Sequence, residues 1–235
     1  MTAAAREVRA TSSQRATADQ VREILIVDDH PLMCDALALT LKISFGLKNV
    51  RTARSLAAAL EQIRTQGAPD AVILDLNLPD ARGAEGIVTL RRQLPDVPIT
   101  MISADLEGAM ISAAMAAGAQ GYISKSLSRE ALVDSLRRMW EGEHVTPEGY
   151  EPSQDSAEDE ARAELARRFS SLTPQQMKIL RLICQGKANK EISYELSIAE
   201  ATVKTHITAI MSKINARRRT QAVLLANSIR LFEAG

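Results

Sequence analysis

Between residues 23 and 140, short apolar runs alternate with longer stretches of helical period. ILIV at 24–27, AVIL at 71–74, PITMI at 98–102 and GYI at 121–123 are apolar at successive positions, as parallel strands buried on both faces require. A weaker fifth strand falls near 49–53, and helical periodicity predicts helices at 31–43, 56–66, 83–93, 106–116 and 129–140. This alternation predicts an α/β fold, a doubly wound parallel five-stranded domain. From 141 to 164 the pattern fades: nine acidic residues face a single Arg162, and Pro147, Gly149 and Pro152 break regular structure, which reads as an acidic linker. Its last part, SAEDEARAELARRF, runs from acidic to basic in the order that suits a helix dipole, so a short solvated helix is expected there. Four helical segments follow, an all-α four-helix domain. The first opens on Leu172, Thr173, Pro174 and Gln176, supplying an N-cap, a first-turn proline and a capping-box partner, and ends at Gly186. The others span 189–196, 200–214 and 220–232. The resulting organisation is a flexible extension at 1–21, the α/β domain at 22–140, the linker at 141–169 and the helical domain at 170–235.

A length of 235 residues suits two modest domains, each large enough for its own core, and 46% hydrophobic residues place the chain among globular proteins. Two cysteines, Cys34 and Cys184, cannot build a disulfide framework and fit a reducing compartment, the cytoplasm. The longest uncharged stretch, 108–124, carries three glycines and two serines and is not a membrane span. The first twenty residues lack the apolar core of a secretory signal; Arg6, Arg9 and Arg15 give a faint likeness to a transit peptide, but a floppy tail is the simpler reading. The net charge of zero divides unevenly: from Leu172 onward ten Lys and Arg stand against four Asp and Glu, hence +6, leaving −6 before it. The C-terminal part is the one built to meet a polyanion.

In open parallel sheets, ligands sit at the carboxyl ends of the strands. Asp28 and Asp29 follow the first strand, Asp75 the third, Ser103 the fourth and Lys125 the fifth. Three carboxylates brought together repel one another and invite a divalent cation, and hard oxygen ligands favour Mg²⁺. A lysine beside them points to a phosphate-sized anion, toward which an aspartate can act as nucleophile, with the Ser103 hydroxyl serving the new phosphoryl oxygens. One such aspartate alone would more simply cap the following helix, as Asp29 before His30 and Pro31 could. The full set of these residue types on successive strands outweighs that reading.

These residues and their surroundings, VDDHP at 27–31, LDLNLPDARG at 74–83, ISA at 102–104 and GAQGYISK at 118–125, resemble the receiver domain of two-component response regulators over about residues 23–140. The resemblance implies that Asp75 accepts a phosphoryl group from a sensor histidine kinase, with Asp28, Asp29, Asp75 and the backbone carbonyl of Asn77 arranged around Mg²⁺. It also implies that Lys125 and Ser103 serve the phosphoryl group and that Ser103 and Tyr122 form a switch pair. Ser at 103 rather than Thr, Arg82 before the glycine, and Ser126 rather than proline after the lysine depart from the usual pattern without removing a group the chemistry needs. His30 beside the acid pair is given a structural role.

In the basic part, a short helix, a tight turn at 197–199 and a second helix carrying Thr202, Lys204, Thr205, His206 and Thr208 make a helix-turn-helix candidate. Polar residues on one helix are also an ordinary solvated face, so the wider match decides. The segment 172–223, with NKEI at 189–192, TVKTH at 202–206 and RTQAV at 219–223, resembles the four-helix DNA-binding domain of the LuxR class, and the domain pairing resembles the NarL/FixJ subfamily. That resemblance implies double-stranded promoter DNA as partner, base contact from Lys204 with Thr202, Thr205, His206 and Thr208 around it, a homodimer on DNA formed through the last helix, and RNA polymerase as a neighbour at the promoter. Arg217, Arg218 and Arg219 are placed for phosphates, although a solvated charge run reads almost as well. Ala199 stands where relatives place a Ser or Thr N-cap, and Thr208 where many carry a base.

The implied role is a phosphorylation-controlled transcription regulator, not an enzyme. Two alternatives stay open at this point: a regulator that never receives phosphate, and a Mg²⁺-dependent phosphatase using Asp75, although such enzymes need a second acid where Asn77 stands.

Overall fold

The computed structural model describes residues 21–150 and 156–232, with the side chains of 156–160 excepted. Residues 1–20 of the extension expected at 1–21, residues 151–155 of the acidic linker and residues 233–235 of the helical domain lie outside the described residues. Five strands, β1 (Glu23–Val27), β2 (Asn49–Ala53), β3 (Ala71–Asp75), β4 (Ile99–Ser103) and β5 (Gly121–Ser124), form one parallel sheet in the order β2-β1-β3-β4-β5. The helices α1 (Pro31–Phe45), α2 (Leu56–Gln66), α3 (Glu85–Arg91), α4 (Gly108–Ala116) and α5 (Arg129–Trp140) connect and cover them. The order reverses between β1 and β3, so the crevice at their carboxyl ends is the topological switch point.

Alternation along the strands divides the core. Ile24 and Ile26 of β1 face one side with Leu37, Leu41, Leu136 and Trp140 of α1 and α5, while Leu25 and Val27 face the other with Ala59 of α2 and Ile87 of α3. The second cluster does not stop at the sheet: it continues through Phe169 into the C-terminal domain, so one apolar body spans both.

Helix α3 begins later than the periodicity predicts, because Gly83 takes a left-handed φ of 57° that a helix interior cannot hold. Helix α4 also begins late: Asp105 Oδ1 accepts the Glu107 N–H at 2.9 Å and keeps that loop out of the helix.

The end of the linker is a helix, α6 (Ser156–Ser170), but not the solvated one expected. Ala166 and Phe169 are buried, and Arg162 Nη1 donates to Ser112 Oγ of α4 at 3.1 Å. Its apolar residues fall where α3 and α4 can cover them, which the charged composition concealed. The helical domain follows as α7 (Pro174–Cys184), α8 (Asn189–Glu195), α9 (Glu200–Lys213) and α10 (Arg219–Ser228). The expected capping box opens α7: Thr173 Oγ1 accepts the Gln176 N–H at 3.2 Å and Gln176 Oε1 accepts the Thr173 N–H at 3.0 Å. Helix α10 stops short of 232, and Arg230 just beyond it has a left-handed φ of 44°.

Candidate functional site

Parallel strands deliver their last residues to one edge, and β1, β3, β4 and β5 deliver Asp28, Asp75, Ser103 and Lys125 there. Asp28 and Asp75 are almost fully buried, at 0% and 4% exposure. The Lys125 ammonium lies between them, 2.9 Å from Asp28 Oδ2 and 3.0 Å from Asp75 Oδ2. The more exposed Asp29 completes the acid group, and the ligand atoms of Asp28, Asp29, His30 and Asp75 all lie within 4.8 Å of one another, a cluster able to hold a metal ion. His30 is the N-cap residue of α1, its side chain making no cap hydrogen bond. Its backbone N–H donates to Asp28 Oδ1 at 2.8 Å, and its Nδ1 lies 2.8 Å from Asp29 Oδ1.

Burial pushes the Asp75 carboxyl above the ordinary carboxylate range; the ion pair with Lys125 opposes this, the Asp28 charge adds to it, and the Asn77 backbone N–H lowers it. Burial alone would lower Lys125, but hydrogen bonds to Asp28 and Asp75 outweigh it and hold the ammonium above its usual value. Asp75 is therefore a carboxylate kept at a cost, beside a firmly charged lysine.

Ser103 Oγ accepts the Asp105 N–H at 3.0 Å. The Tyr122 ring is buried at 1% exposure, and its hydroxyl donates to the Asp105 carbonyl at 2.7 Å. The two residues expected as a switch pair thus meet on one loop residue, Asp105, which the sequence reading did not single out.

In the helical domain, α8 and α9 are joined through Ser197, a non-glycine residue with φ of 52°. Thr202, Lys204, Thr205 and Thr208 are exposed along α9, while His206 is only partly so. Lys204 Nζ pairs with Glu200 at 3.1 Å. Thr205 and Thr208 donate their hydroxyls to helix carbonyls, each at 3.1 Å, leaving oxygen lone pairs and methyl groups to offer a partner. As expected, Ala199 gives α9 no side-chain cap. Arg217 and Arg218 are exposed, but Arg219 is drawn inward: its guanidinium donates to the carbonyls of Lys187 and Ile183, tying α10 to the end of α7.

Residues 24–137 match the response regulator receiver domain, and residues 170–226 match the bacterial regulatory proteins of the luxR family. The chain is 33% identical to the glycerol metabolism activator of Pseudomonas putida over 88% of this chain and 96% of that one. It is 30% identical to the nitrate/nitrite response regulator protein NarL of Escherichia coli K12, over 89% and 96% respectively. Among solved structures, RcsB of Salmonella enterica serovar Typhimurium, bound to promoter P1flhDC with a phosphomimetic, aligns with a TM-score of 0.52 at 19% identity, over 89% of this chain and 99% of that one; at that identity it speaks for the fold alone. A receiver sheet joined to a luxR-type helix-turn-helix defines a DNA-binding two-component response regulator. The chain belongs to that family, in its NarL/LuxR-type branch. The phosphatase alternative gains no support, and Asn77 offers no second acid. Among the described residues, no helix is long and apolar enough to cross a membrane.

Proposed function

We propose that Asp75 is the phosphoacceptor of this regulator and that its modification changes how the helical domain engages promoter DNA. The observation that carries the reading is the Lys125 ammonium, bridging two buried carboxylates at the switch point of the sheet. Asp28, Asp29, Asp75 and the Asn77 carbonyl would hold Mg²⁺, whose charge supplies neutralisation for the incoming phosphoryl oxygens. A carboxylate oxygen of Asp75 attacks phosphorus, the bond from phosphorus to the donor breaks, and its electron pair leaves with the donor, a histidine of the sensor kinase. Lys125 faces the new phosphoryl group, and the Ser103 hydroxyl turns from Asp105 toward it.

On DNA, α9 enters the major groove with Lys204 and Thr202, Thr205, His206 and Thr208 toward the bases and Arg217 and Arg218 toward phosphates. Two copies paired through α10 would set two such helices one helical turn apart. RcsB has been solved as dimers bound to DNA, a property of that protein which this reading extends here. The test is labelling with acetyl phosphate and Mg²⁺: the wild-type chain gains one phosphoryl group and Asp75→Asn gains none. Labelling that persists in the variant moves the acceptor elsewhere.

A further inference from the structure

The acid cluster has a lysine side and an open side. Lys125 Nζ lies 2.9 Å from Asp28 Oδ2 and 3.0 Å from Asp75 Oδ2, so Asp28 Oδ1 is the oxygen left to meet an ion. His30 stands on that open side. Its backbone is fixed twice over: Pro31 keeps the residue before it extended, at φ −89° and ψ 105°, and the His30 N–H donates to Asp28 Oδ1 at 2.8 Å. The ring then turns back over the acid pair, with Nδ1 3.1 Å from Asp28 Oδ1 and 2.8 Å from Asp29 Oδ1. A structural role, which is all that a place before Pro31 suggests, accounts for the backbone and not for the ring, which caps no N–H of α1.

Two ligands at right angles, each about 2.1 Å from one ion, lie roughly 3.0 Å apart. The separations of His30 Nδ1 from the two carboxylate oxygens match that edge. We infer that His30 is a ligand for first-row transition ions: Co²⁺ or Ni²⁺ is held by Nδ1 together with the carboxylates of Asp28, Asp29 and Asp75, whereas Mg²⁺ takes oxygens alone. The chemistry of the donors sets this division. Imidazole binds borderline ions well and adds little for a hard one, and affinity at such sites rises from Mn²⁺ through Co²⁺ to Ni²⁺. The ring is mostly exposed, so it is free to move aside when Mg²⁺ enters. The pocket therefore discriminates among divalent ions. A ring that only steadied the two aspartates by hydrogen bonding would serve every ion alike. The inference rests on the metal site proposed above and not on phosphate reaching Asp75.

The experiment titrates the full chain, stripped of metal, with Co²⁺ alone and with Mg²⁺ alone by isothermal titration calorimetry. His30→Ala should weaken Co²⁺ binding by about tenfold or more and change Mg²⁺ affinity by no more than about twofold. His30→Gln, which keeps a hydrogen-bond donor but no imidazole, should behave as His30→Ala does. Asp75→Asn should weaken both ions. In the Co²⁺-loaded wild type, proton NMR should show a paramagnetically shifted imidazole resonance that His30→Ala lacks and that replacement of His144 or His206 leaves in place. Circular dichroism in EDTA checks that each variant is folded, and the wild-type spectrum needs no variant at all. Equal losses for the two ions would make His30 a positioning residue and overturn the ligand. Unchanged Co²⁺ affinity in His30→Ala, or Co²⁺ affinity that falls with His30 but not with Asp75, would overturn it too. Co²⁺ binding that needs both residues, in a chain indifferent to Mg²⁺, would keep the ligand and remove Mg²⁺ from the pocket.

Discussion

Replacing Asp75 with Asn should make the receiver domain more stable without metal and less stable with it. Asp75 lies 3.0 Å from the Lys125 ammonium, an attraction worth roughly 5 kcal/mol at an effective dielectric of about 20. Against this stand the Asp28 charge within 4.8 Å, at least roughly 3 kcal/mol of repulsion on the same scale, and the several kcal/mol that burying a carboxylate costs. The balance is unfavourable to the ionised Asp75, in keeping with its raised pKa. Asparagine removes that burden, and Lys125 keeps its pair with Asp28 at 2.9 Å. In EDTA the variant should therefore gain about 1–2 kcal/mol in urea unfolding. With Mg²⁺ at about a hundred times its dissociation constant, the wild type gains about 2.7 kcal/mol by mass action, while the variant, short of one ligand, gains little. The stability order should invert between the two buffers. A variant less stable than wild type in EDTA would refute the electrostatic balance, and a wild type indifferent to Mg²⁺ would refute the metal site.

Lys204→Ala should weaken binding to a mapped promoter by about 1–2 kcal/mol, roughly tenfold by fluorescence anisotropy, and unchanged affinity would remove Lys204 from the contact set. Ala199→Ser supplies the cap α9 lacks and should raise stability toward thermal unfolding by about 1 kcal/mol; no gain would mean that the turn already satisfies those N–H groups otherwise. Burial lifts the Cys184 thiol from 9.0 to about 11, with Arg219 opposing. The folded chain thus holds this proton where the unfolded chain has lost it, so Cys184 contributes stability below pH 9 that disappears as pH rises toward 11. The ceiling is about 2.7 kcal/mol, reduced by the partial exposure of the side chain. A Cys184→Ala variant should show a correspondingly shallower alkaline loss in urea unfolding; identical slopes would contradict the assignment.

The sheet was legible because its strands are apolar on both faces and end in chemistry-bearing residues: Asp28, Asp75, Ser103 and Lys125 come together because parallel topology leaves them no other edge. The capping box at Thr173 and Gln176 was legible for a similar reason, being a local pattern with a local partner. The helix α6 does not show its burial in sequence because its charges are dense there, while Ala166 and Phe169 join an apolar cluster whose other members, on α3, α4 and the helical domain, lie elsewhere along the chain. Glu85 pairs with Arg181 and Glu107 with Arg230 across the two domains, yet none of the four carries a motif; the pairs depend on how two domains dock, and neither segment alone encodes that. Arg219 looked like one of three equal cations, and only the α7–α8 corner distinguishes it by offering carbonyls.

The most direct measurement is the affinity of the full chain for a promoter fragment found by genomic occupancy mapping, titrated with and without acetyl phosphate and Mg²⁺, in wild type and Asp75→Asn. Phosphodonor should change wild-type affinity by about tenfold or more and leave the variant where it was. Equal affinities in all four titrations, or an equal change in both proteins, would contradict it.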